Sequence, residues 1–333
     1  MSTLTIGLLG AGRIGKVHAA VIAETAGARL VAVADAVAEA AAEVAGRYGA
    51  TVRPIDEIIA DPAVDAVFIT TPTDMHADLI EQAARAGKRI FCEKPIDLDV
   101  ARVRDCLAVV AETGALLMVG FNRRFDPNFT AVRAQIDAGV IGDIEMVAIT
   151  SRDPGPPPLA YMERSGGLFR DMSIHDLDMA RFLLGEEPVS VSAVGSVLVD
   201  PAIGTVPDVD SAAITLVTAS GKIVQISNSR RATYGYDQRI EVHGSLGMVR
   251  AANIHETTVE VAGAAGHVTA PLMNFFIERY MDSYRREVAA FVEAVRRGGP
   301  VSPSGEAGLQ ALILAEAAAR SHRERRTVDV SEI

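Results

Sequence analysis

Short apolar runs alternate with amphipathic segments along the first 120 residues. The apolar runs read LTIGLLG, RLVAVAD, DAVFITTP, KRIFCEKP and GALLMVGF, and they have the length and composition of buried strands. The segments between them repeat apolar residues with the period of a helix. Strands that alternate with helices predict a doubly wound parallel sheet with helical crossovers. We therefore expect an α/β domain over residues 1–121.

The pattern changes after Gly120. A helix near PNFTAVRAQIDAG and a strand, IEMVAITSRD, lead to a proline-rich loop. Consecutive strand-like runs then predict a largely antiparallel, open sheet, with Gly221 and Gly247 at tight turns. Two helices, near 275–297 and 306–320, close the chain, and we expect them to pack back toward the first domain. Residues 122–333 are thus predicted to form a second domain. The strand-like runs are VSVSAVGSVLV, SAAITLVTA, KIVQISNSR, QRIEVHG, GMVRAAN, TTVEVAG and HVTAP.

One predicted helix has an unusual mixture of residues. The stretch LFRDMSIHDLDMARFLLG, residues 168–185, is mostly apolar, yet Asp171, His175 and Asp178 interrupt it. At about 100° per residue these three side chains fall within an arc of about 60° on one face. This polar stripe on a buried helix is a candidate site.

Composition and charge narrow the possible partners. The 333 residues carry a formal net charge of -11, so no broad basic surface for nucleic acid or an anionic membrane is expected. The start of the chain lacks the order of a signal peptide, and no apolar run approaches the length of a membrane span. We expect a cytoplasmic protein with a small-molecule partner. Cys92 and Cys106 have no CxxC spacing and histidines do not cluster, so no metal site is predicted.

The segment GAGRIG matches the pattern G-x-G-x-x-G between a predicted strand and a predicted helix. Gly10 permits a tight turn, Gly12 lets a pyrophosphate approach the backbone, and Gly15 lets the helix pack on the strand. Asp35 ends the next strand, where a carboxylate accepts hydrogen bonds from the adenosine ribose and repels a 2′-phosphate. The sequence therefore predicts NAD in preference to NADP, although Arg13 and Lys16 lie nearby.

Two further segments follow predicted strands, at the sheet edge where α/β proteins bind ligands. In TTPTDMH, Thr71 and Pro72 are expected to shape a wall beside the cofactor, whereas His76 has the position of an early helix residue. In FCEKP, Pro95 restricts the backbone of Lys94 and could aim its ammonium group into a cleft. A lysine beside the nicotinamide could stabilise alkoxide character on a reacting oxygen. The other reading of Lys94 is a solvated loop residue.

Together these segments resemble the Gfo/Idh/MocA family of nicotinamide-dependent sugar oxidoreductases. The resemblance rests on GAGRIG, TPTDMH, EKP, GFNRRFDP and GGLFRDMSIHDLDMARFLLG, and it runs from residue 4 through the final helices. It implies an amino-terminal Rossmann domain and a second domain whose open sheet often serves as an oligomer face. A homo-oligomer follows as an expectation, with a homotetramer favoured.

The resemblance also implies residue roles. Lys94, Asp171 and His175 are the implied catalytic set: His175 is the general base, and Asp171 orients His175 or holds protonated Lys94. Asp178 is a substrate contact or, alternatively, an ion-pair partner of Arg181. The candidate cofactor-binding residues are Gly10, Gly12, Arg13, Ile14, Gly15, Asp35, Thr71, Pro72, His76, Glu93 and Lys94. The candidate substrate-binding residues are Lys94, Asn122, Arg123, Asp153, Asp171, His175, Asp178 and Tyr236.

Within the family, SRDPGPPP, the segment around Asp171 and YGYDQRIEVHG are most similar to members that act on inositol. The implied reaction is oxidation of myo-inositol at C2 to 2-keto-myo-inositol (scyllo-inosose), with NAD as hydride acceptor. Two alternatives remain. The substrate could be another inositol isomer or a pyranose sugar, or the chain could be a dinucleotide-binding sensor without turnover. The presence of Lys94, Asp171 and His175 favours the enzyme, since a sensor has no need of them.

Overall fold

The computed structural model describes residues 3–264 and 266–333, which form two compact units. The first unit comprises the chain up to Phe125 together with Asp282–Leu312, and the second comprises Asp126–Met281 and Ile313–Ile333. The sequence predicts a single boundary after residue 121, whereas the structure assigns 282–312 to the first unit. The reason is a return of the chain to the first sheet, where Val119 N donates a hydrogen bond to Pro303 O at 3.0 Å.

The first unit is built on a parallel sheet with strand order β3-β2-β1-β4-β5-β6. The order reverses between β1 and β4, which opens a crevice at the carboxyl ends of these strands. Apolar residues of the central strands are fully buried, and Phe68 stacks on Phe91 with ring centroids 4.5 Å apart. The strands are β1 Leu4–Leu9, β2 Ala28–Ala34, β3 Thr51–Val52, β4 Ala66–Ile69, β5 Arg89–Glu93 and β6 Leu117–Gly120.

Helices connect these strands as the sequence pattern predicts. Two short elements were not predicted, β3 and the helix that follows it, because a two-residue exposed strand and a six-residue helix are too short to show a period. The helices of this part of the chain are α1 Arg13–Glu24, α2 Ala38–Tyr48, α3 Ile55–Ala60, α4 His76–Arg85 and α5 Val100–Thr113.

The second unit has a mixed sheet with strand order β12-β11-β7-β10-β9-β8-β15. Its neighbouring strands are antiparallel except for the pair of β7 with β10, which is parallel. The expectation that TTVEVAG and HVTAP continue this sheet is wrong: β13 and β14 form a separate, exposed hairpin. The strands are β7 Ile144–Arg152, β8 Pro188–Ser196, β9 Ser211–Thr218, β10 Ile223–Ser229, β11 Asp237–Gly244, β12 Gly247–Ala251, β13 Glu260–Gly263, β14 Gly266–Thr269 and β15 Val328–Asp329.

The sequence predicts one regular helix over residues 168–185, but the structure does not have one. A π-helical turn, Phe169–Ser173, leads into α8, Ile174–Leu184. No helix within the described residues is long and apolar enough to cross a membrane. The remaining helices are α6 Pro127–Asp137, α7 Leu159–Ser165, α9 Phe276–Arg297 and α10 Gly305–Glu324.

Candidate functional site

The loop between β1 and α1 has the shape that a dinucleotide requires. Gly10 has φ of +105°, and a Cβ added there would lie 2.6 Å from the backbone of Thr70. A Cβ at Gly15 would lie 2.1 Å from Gly10 O, so helix and loop pack more closely than any side chain allows. A Cβ at Gly12, by contrast, would meet nothing within 4 Å. The open space in front of Gly12 fits a pyrophosphate approaching the amino end of α1.

Asp35 connects this loop to the end of β2. Its Oδ2 accepts a hydrogen bond from Ala11 N at 2.5 Å, and its Oδ1 accepts one from Val37 N at 2.8 Å. A carboxylate offers about four lone-pair sites. The half-buried group therefore keeps acceptor capacity for ribose hydroxyls beside the glycine loop.

Thr71 and His76 shape the loop after β4. The Thr71 hydroxyl is buried and has no hydrogen-bond partner among the described residues, which fits a polar group of a bound cofactor. The ring nitrogens of His76 lie 2.8 Å from Pro95 O and from Thr71 O. Burial lowers the pKa of His76. His76 thus connects the loop after β4 to the loop after β5.

Glu93 and Lys94 follow β5 and are half-buried. Glu93 Oε1 lies 2.7 Å from Nε2 of the fully buried His18, and Lys94 N donates to Glu93 Oε2 at 3.3 Å. Asn122 and Arg123 lie in a short 3₁₀ turn after β6 and are buried. The structure therefore places the candidates of the first unit at the carboxyl ends of its parallel strands, where open α/β sheets bind ligands.

The second unit presents Asp171 on the π-helical turn and His175 on the first turn of α8, both half-buried. The Tyr161 hydroxyl donates a hydrogen bond to Asp171 Oδ1 at 2.9 Å. Arg230 Nη2 lies 3.6 Å from Asp171 Oδ2. π-helical turns occur frequently at functional sites. Because they turn less per residue than an α-helix, the arc calculated for a regular helix does not apply to Asp171.

The inner face of α8 is anchored on β10. The buried Asp176 carboxylate accepts a hydrogen bond from Asn228 Nδ2 at 2.8 Å, and the Ser173 hydroxyl donates to Asn228 Oδ1 at 2.6 Å. Asp178 is also buried, and its Oδ1 lies 3.7 Å from Arg181 Nη1. The contact expected in the ion-pair alternative for Asp178 is therefore present.

The register of the second sheet brings two other candidate substrate-binding residues to the same end of the sheet. Arg152 pairs with Ser229 of the parallel β10 and with Asp237 of the antiparallel β11. The residues next along these strands, Asp153 and Tyr236, therefore lie at the same end of the sheet. Asp153 is half-buried, and Tyr236 is buried with its ring edge-on to that of Tyr280.

Sequence reasoning missed several residues that contact the candidates. His18 contacts Glu93, whereas Tyr161, Arg230 and Asp208 surround Asp171 or its turn. The sequence carries no spacing signal for these contacts, because the partners lie on different elements. Among the described residues no group of histidine, cysteine and carboxylate side chains could hold a metal ion.

Two family models match the chain. The model described as "Oxidoreductase family, NAD-binding Rossmann fold" matches residues 4–121, and "Oxidoreductase family, C-terminal alpha/beta domain" matches residues 133–330. The predicted fold class and the predicted NAD cofactor are confirmed.

Individual relatives extend over the whole chain. The inositol 2-dehydrogenase of Rhizobium meliloti strain 1021 is 61% identical over 329 residues, which cover 99% of this chain and 100% of that protein. A myo-inositol dehydrogenase structure from Corynebacterium glutamicum ATCC 13032 gives a TM-score of 0.95 at 44% identity and covers 98% of each chain. The Lactobacillus casei myo-inositol dehydrogenase in complex with NAD(H) and myo-inositol gives 0.88 at 28% identity, covering 99% of this chain and 97% of that one. With both of its domains matched and this similarity over its full length, the chain belongs to the Gfo/Idh/MocA family of oxidoreductases.

Proposed function

We propose that the protein oxidises the C2 hydroxyl of myo-inositol to a ketone, giving 2-keto-myo-inositol and NADH. The observation that carries this proposal is the 61% identity to an inositol 2-dehydrogenase over essentially the whole of both chains. The solved myo-inositol dehydrogenase complex with NAD(H) and myo-inositol has the same fold, which supports the same pair of ligands. NAD dependence agrees with Asp35, whose carboxylate would repel a 2′-phosphate.

The reaction removes a hydride from carbon and a proton from oxygen, and a carbonyl double bond forms between them. The chemistry that NAD supplies when bound is acceptance of the hydride at nicotinamide C4. His175 takes the hydroxyl proton as general base. The Lys94 ammonium donates a hydrogen bond to the reacting oxygen and stabilises its developing negative charge. Asp171 orients His175 or holds the protonated Lys94 in place.

A polyol needs several hydrogen-bonding partners, because each unpaired hydroxyl opposes binding. We assign this role to Asn122, Arg123, Asp153 and Tyr236, with Asp178 as a further candidate. The loop after β1 holds the cofactor through Gly10, Gly12 and Gly15. The remaining candidates for cofactor binding are Arg13, Ile14, Asp35, Thr71, Pro72, His76, Glu93 and Lys94.

The proposed protein is a homotetramer that resides in the cytoplasm. The family resemblance favours this assembly, and the open sheet of the second unit offers a face for it. Light scattering of the purified protein would distinguish the tetramer from a dimer, and cell fractionation would test the location.

The substrate is tested with a panel of myo-, scyllo- and chiro-inositol and glucose, each with NAD or NADP. We expect nicotinamide reduction to be fastest with myo-inositol and NAD. If the cofactor is reduced with glucose but with none of the inositol isomers, the substrate is a pyranose sugar rather than an inositol. No reduction with any of these compounds would favour the sensor.

The general base is tested with His175→Ala. Turnover should fall by about 10²- to 10⁴-fold, the usual range for loss of a general base, while NAD binding remains nearly intact. His243→Ala removes an exposed histidine of β11 and serves as the matched control. Near-normal turnover of His175→Ala with myo-inositol would remove His175 from the mechanism.

A further inference from the structure

Arg230 is a buried cation at the end of β10. Its side chain is 1% exposed, and it is among the largest fully buried side chains in the described part of the chain. Its Nε and Nη2 atoms make no hydrogen bond to any described residue. An arginine keeps its charge at all ordinary pH values, so a buried one requires nearby negative charge.

Two carboxylates supply that charge. Arg230 Nη2 lies 3.6 Å from Asp171 Oδ2 and 3.8 Å from Asp208 Oδ2. Both distances are longer than a direct hydrogen bond. They are short enough for a strong attraction between opposite charges, because a poorly solvated interior screens charges weakly. The guanidinium therefore acts on both carboxylates through its charge.

Asp208 ties the same cluster to the start of the π-helical turn. Its Oδ1 accepts hydrogen bonds from Leu168 N at 2.7 Å and from Val209 N at 2.8 Å. A Cβ at Gly167 would lie only 2.7 Å from that oxygen, so the chain approaches Asp208 closely just before the turn. One oxygen of Asp208 thus fixes the start of the turn, and the other faces Arg230.

Asp171 is held between two different groups. The Tyr161 hydroxyl donates to Oδ1, and the Arg230 guanidinium faces Oδ2. These contacts come from α7 and from the end of β10, so they restrict the carboxylate from two elements. A carboxylate that supports a general base must keep its orientation, since displacements of about 1 Å can cost about 100-fold in rate.

We propose that Arg230 is a positioning residue that holds the Asp171 carboxylate in its productive orientation. The proposal rests on the proposed function, because it requires Asp171 to take part in the oxidation. Arg230 does not touch the substrate or the cofactor in this proposal. Its whole effect on turnover passes through Asp171.

The test combines variants at the two positions. Arg230→Met preserves much of the side-chain length without the charge, and we expect kcat with myo-inositol to fall about 10- to 100-fold. The KM for NAD should change less than about twofold, since the dinucleotide loop lies in the first unit. Arg230→Lys restores the charge without the planar fork, so it should recover part of the loss.

The decisive measurement is Arg230→Met in an Asp171→Asn background. If Arg230 acts through Asp171, the second substitution lowers kcat less than about twofold, because the group it positions is already altered. A purely structural Arg230 would cause the same fold-loss in both backgrounds, and that result would overturn the proposal. Arg231→Met is the matched control, since Arg231 is exposed and donates to Leu198 O and Val199 O.

The outcomes separate this inference from the proposed function. Normal turnover of Asp171→Asn would remove Asp171 from the proposed mechanism, and the role of Arg230 would be lost with it. An impaired Asp171→Asn beside a fully active Arg230→Met would overturn the role of Arg230 alone. If Arg230→Met does not fold, as judged by circular dichroism, the same two-background comparison is made with Arg230→Lys. Equal losses in the two backgrounds would again overturn the proposal.

Discussion

Asp35 is the single residue on which the expected cofactor preference depends. Its carboxylate accepts hydrogen bonds from Ala11 N and Val37 N and so lies between the glycine loop and the end of β2. The sequence predicted this role because Asp35 ends the strand that follows the glycine loop. The structure adds that Asp35 also supports the loop itself.

Asp35→Ala should weaken NAD binding and relax the preference for NAD over NADP. Loss of a charged hydrogen-bond acceptor costs about 1.5–3 kcal/mol, so the ratio of kcat/KM values for NAD and NADP should fall about tenfold or more. Steady-state kinetics with both cofactors measures this ratio. The exposed Glu39 of α2 provides the control variant Glu39→Ala, and an unchanged ratio in Asp35→Ala would show that another residue discriminates.

Nothing in the sequence indicated the behaviour of Glu287, which the structure reveals. It lies in α9, it is fully buried, and neither carboxyl oxygen has a hydrogen-bond partner among the described residues. Burial raises the pKa of Glu287 well above its usual range, and the negative charge of Glu93 acts in the same direction. The fold therefore favours the neutral acid over the carboxylate at this position.

Glu287 should make the protein less stable as the pH rises. The unfolded chain releases this proton near pH 4.5 and the folded chain at a much higher pH, so the folded state binds more protons between the two values. Stability then falls with increasing pH by up to about 1.4 kcal/mol per pH unit. Glu287→Gln cannot ionise, so its stability relative to the wild type should increase as the pH rises above about 4.5.

Denaturant unfolding at several pH values measures this difference. Glu293→Gln, on the same helix but exposed and paired with Arg297, is the control and should show no such trend. A difference between Glu287→Gln and the wild type that stays constant with pH would contradict a raised pKa.

At the scale of elements, the apolar period predicted most helices and strands but not the π-helical turn before α8. This turn carries Asp171, which contacts Tyr161 of α7 and Arg230 at the end of β10. A period counted along the sequence contains no information on such contacts. The sequence could therefore predict the face on which Asp171 lies only by assuming a regular helix.

The start of α6 provides a prediction at this scale. The buried Asp126 caps the helix, with Oδ1 accepting from Asn128 N at 3.0 Å and Phe129 N at 3.1 Å, and its Oδ2 pairs with the buried Arg279. Asp126→Ala removes the cap and leaves a buried cation without this partner. We expect the free energy of unfolding to fall by about 3–5 kcal/mol.

Asp99 offers a matched comparison, because it caps α5 through Ala101 N and Arg102 N but is exposed. Asp99→Ala should cost about 0.5–2 kcal/mol, the value of a cap alone. Denaturant unfolding of both variants measures the difference. Equal losses would mean that the pair of Asp126 with Arg279 adds nothing to stability.

At the scale of the whole molecule, the sequence predicted a parallel sheet followed by a mostly antiparallel one, and both are present. It placed one boundary between two domains and expected the final helices to pack back toward the first domain, and the first unit of the structure includes 282–312. The return of this segment depends on pairing such as Val119 N with Pro303 O. Long-range pairing of this kind leaves no periodic trace in the chain.

The sequence by itself determined the fold class, the dinucleotide loop and the family, because strand and helix periods and the spacing of GAGRIG are local properties of the chain. It also singled out Lys94, Asp171 and His175 through motifs. Only the tertiary structure decided which groups surround these residues. His18 and Glu93 are 75 residues apart, and Arg230 reaches Asp171 from another element. Such partners are selected by burial and charge compensation, which act on neighbours in space rather than in sequence.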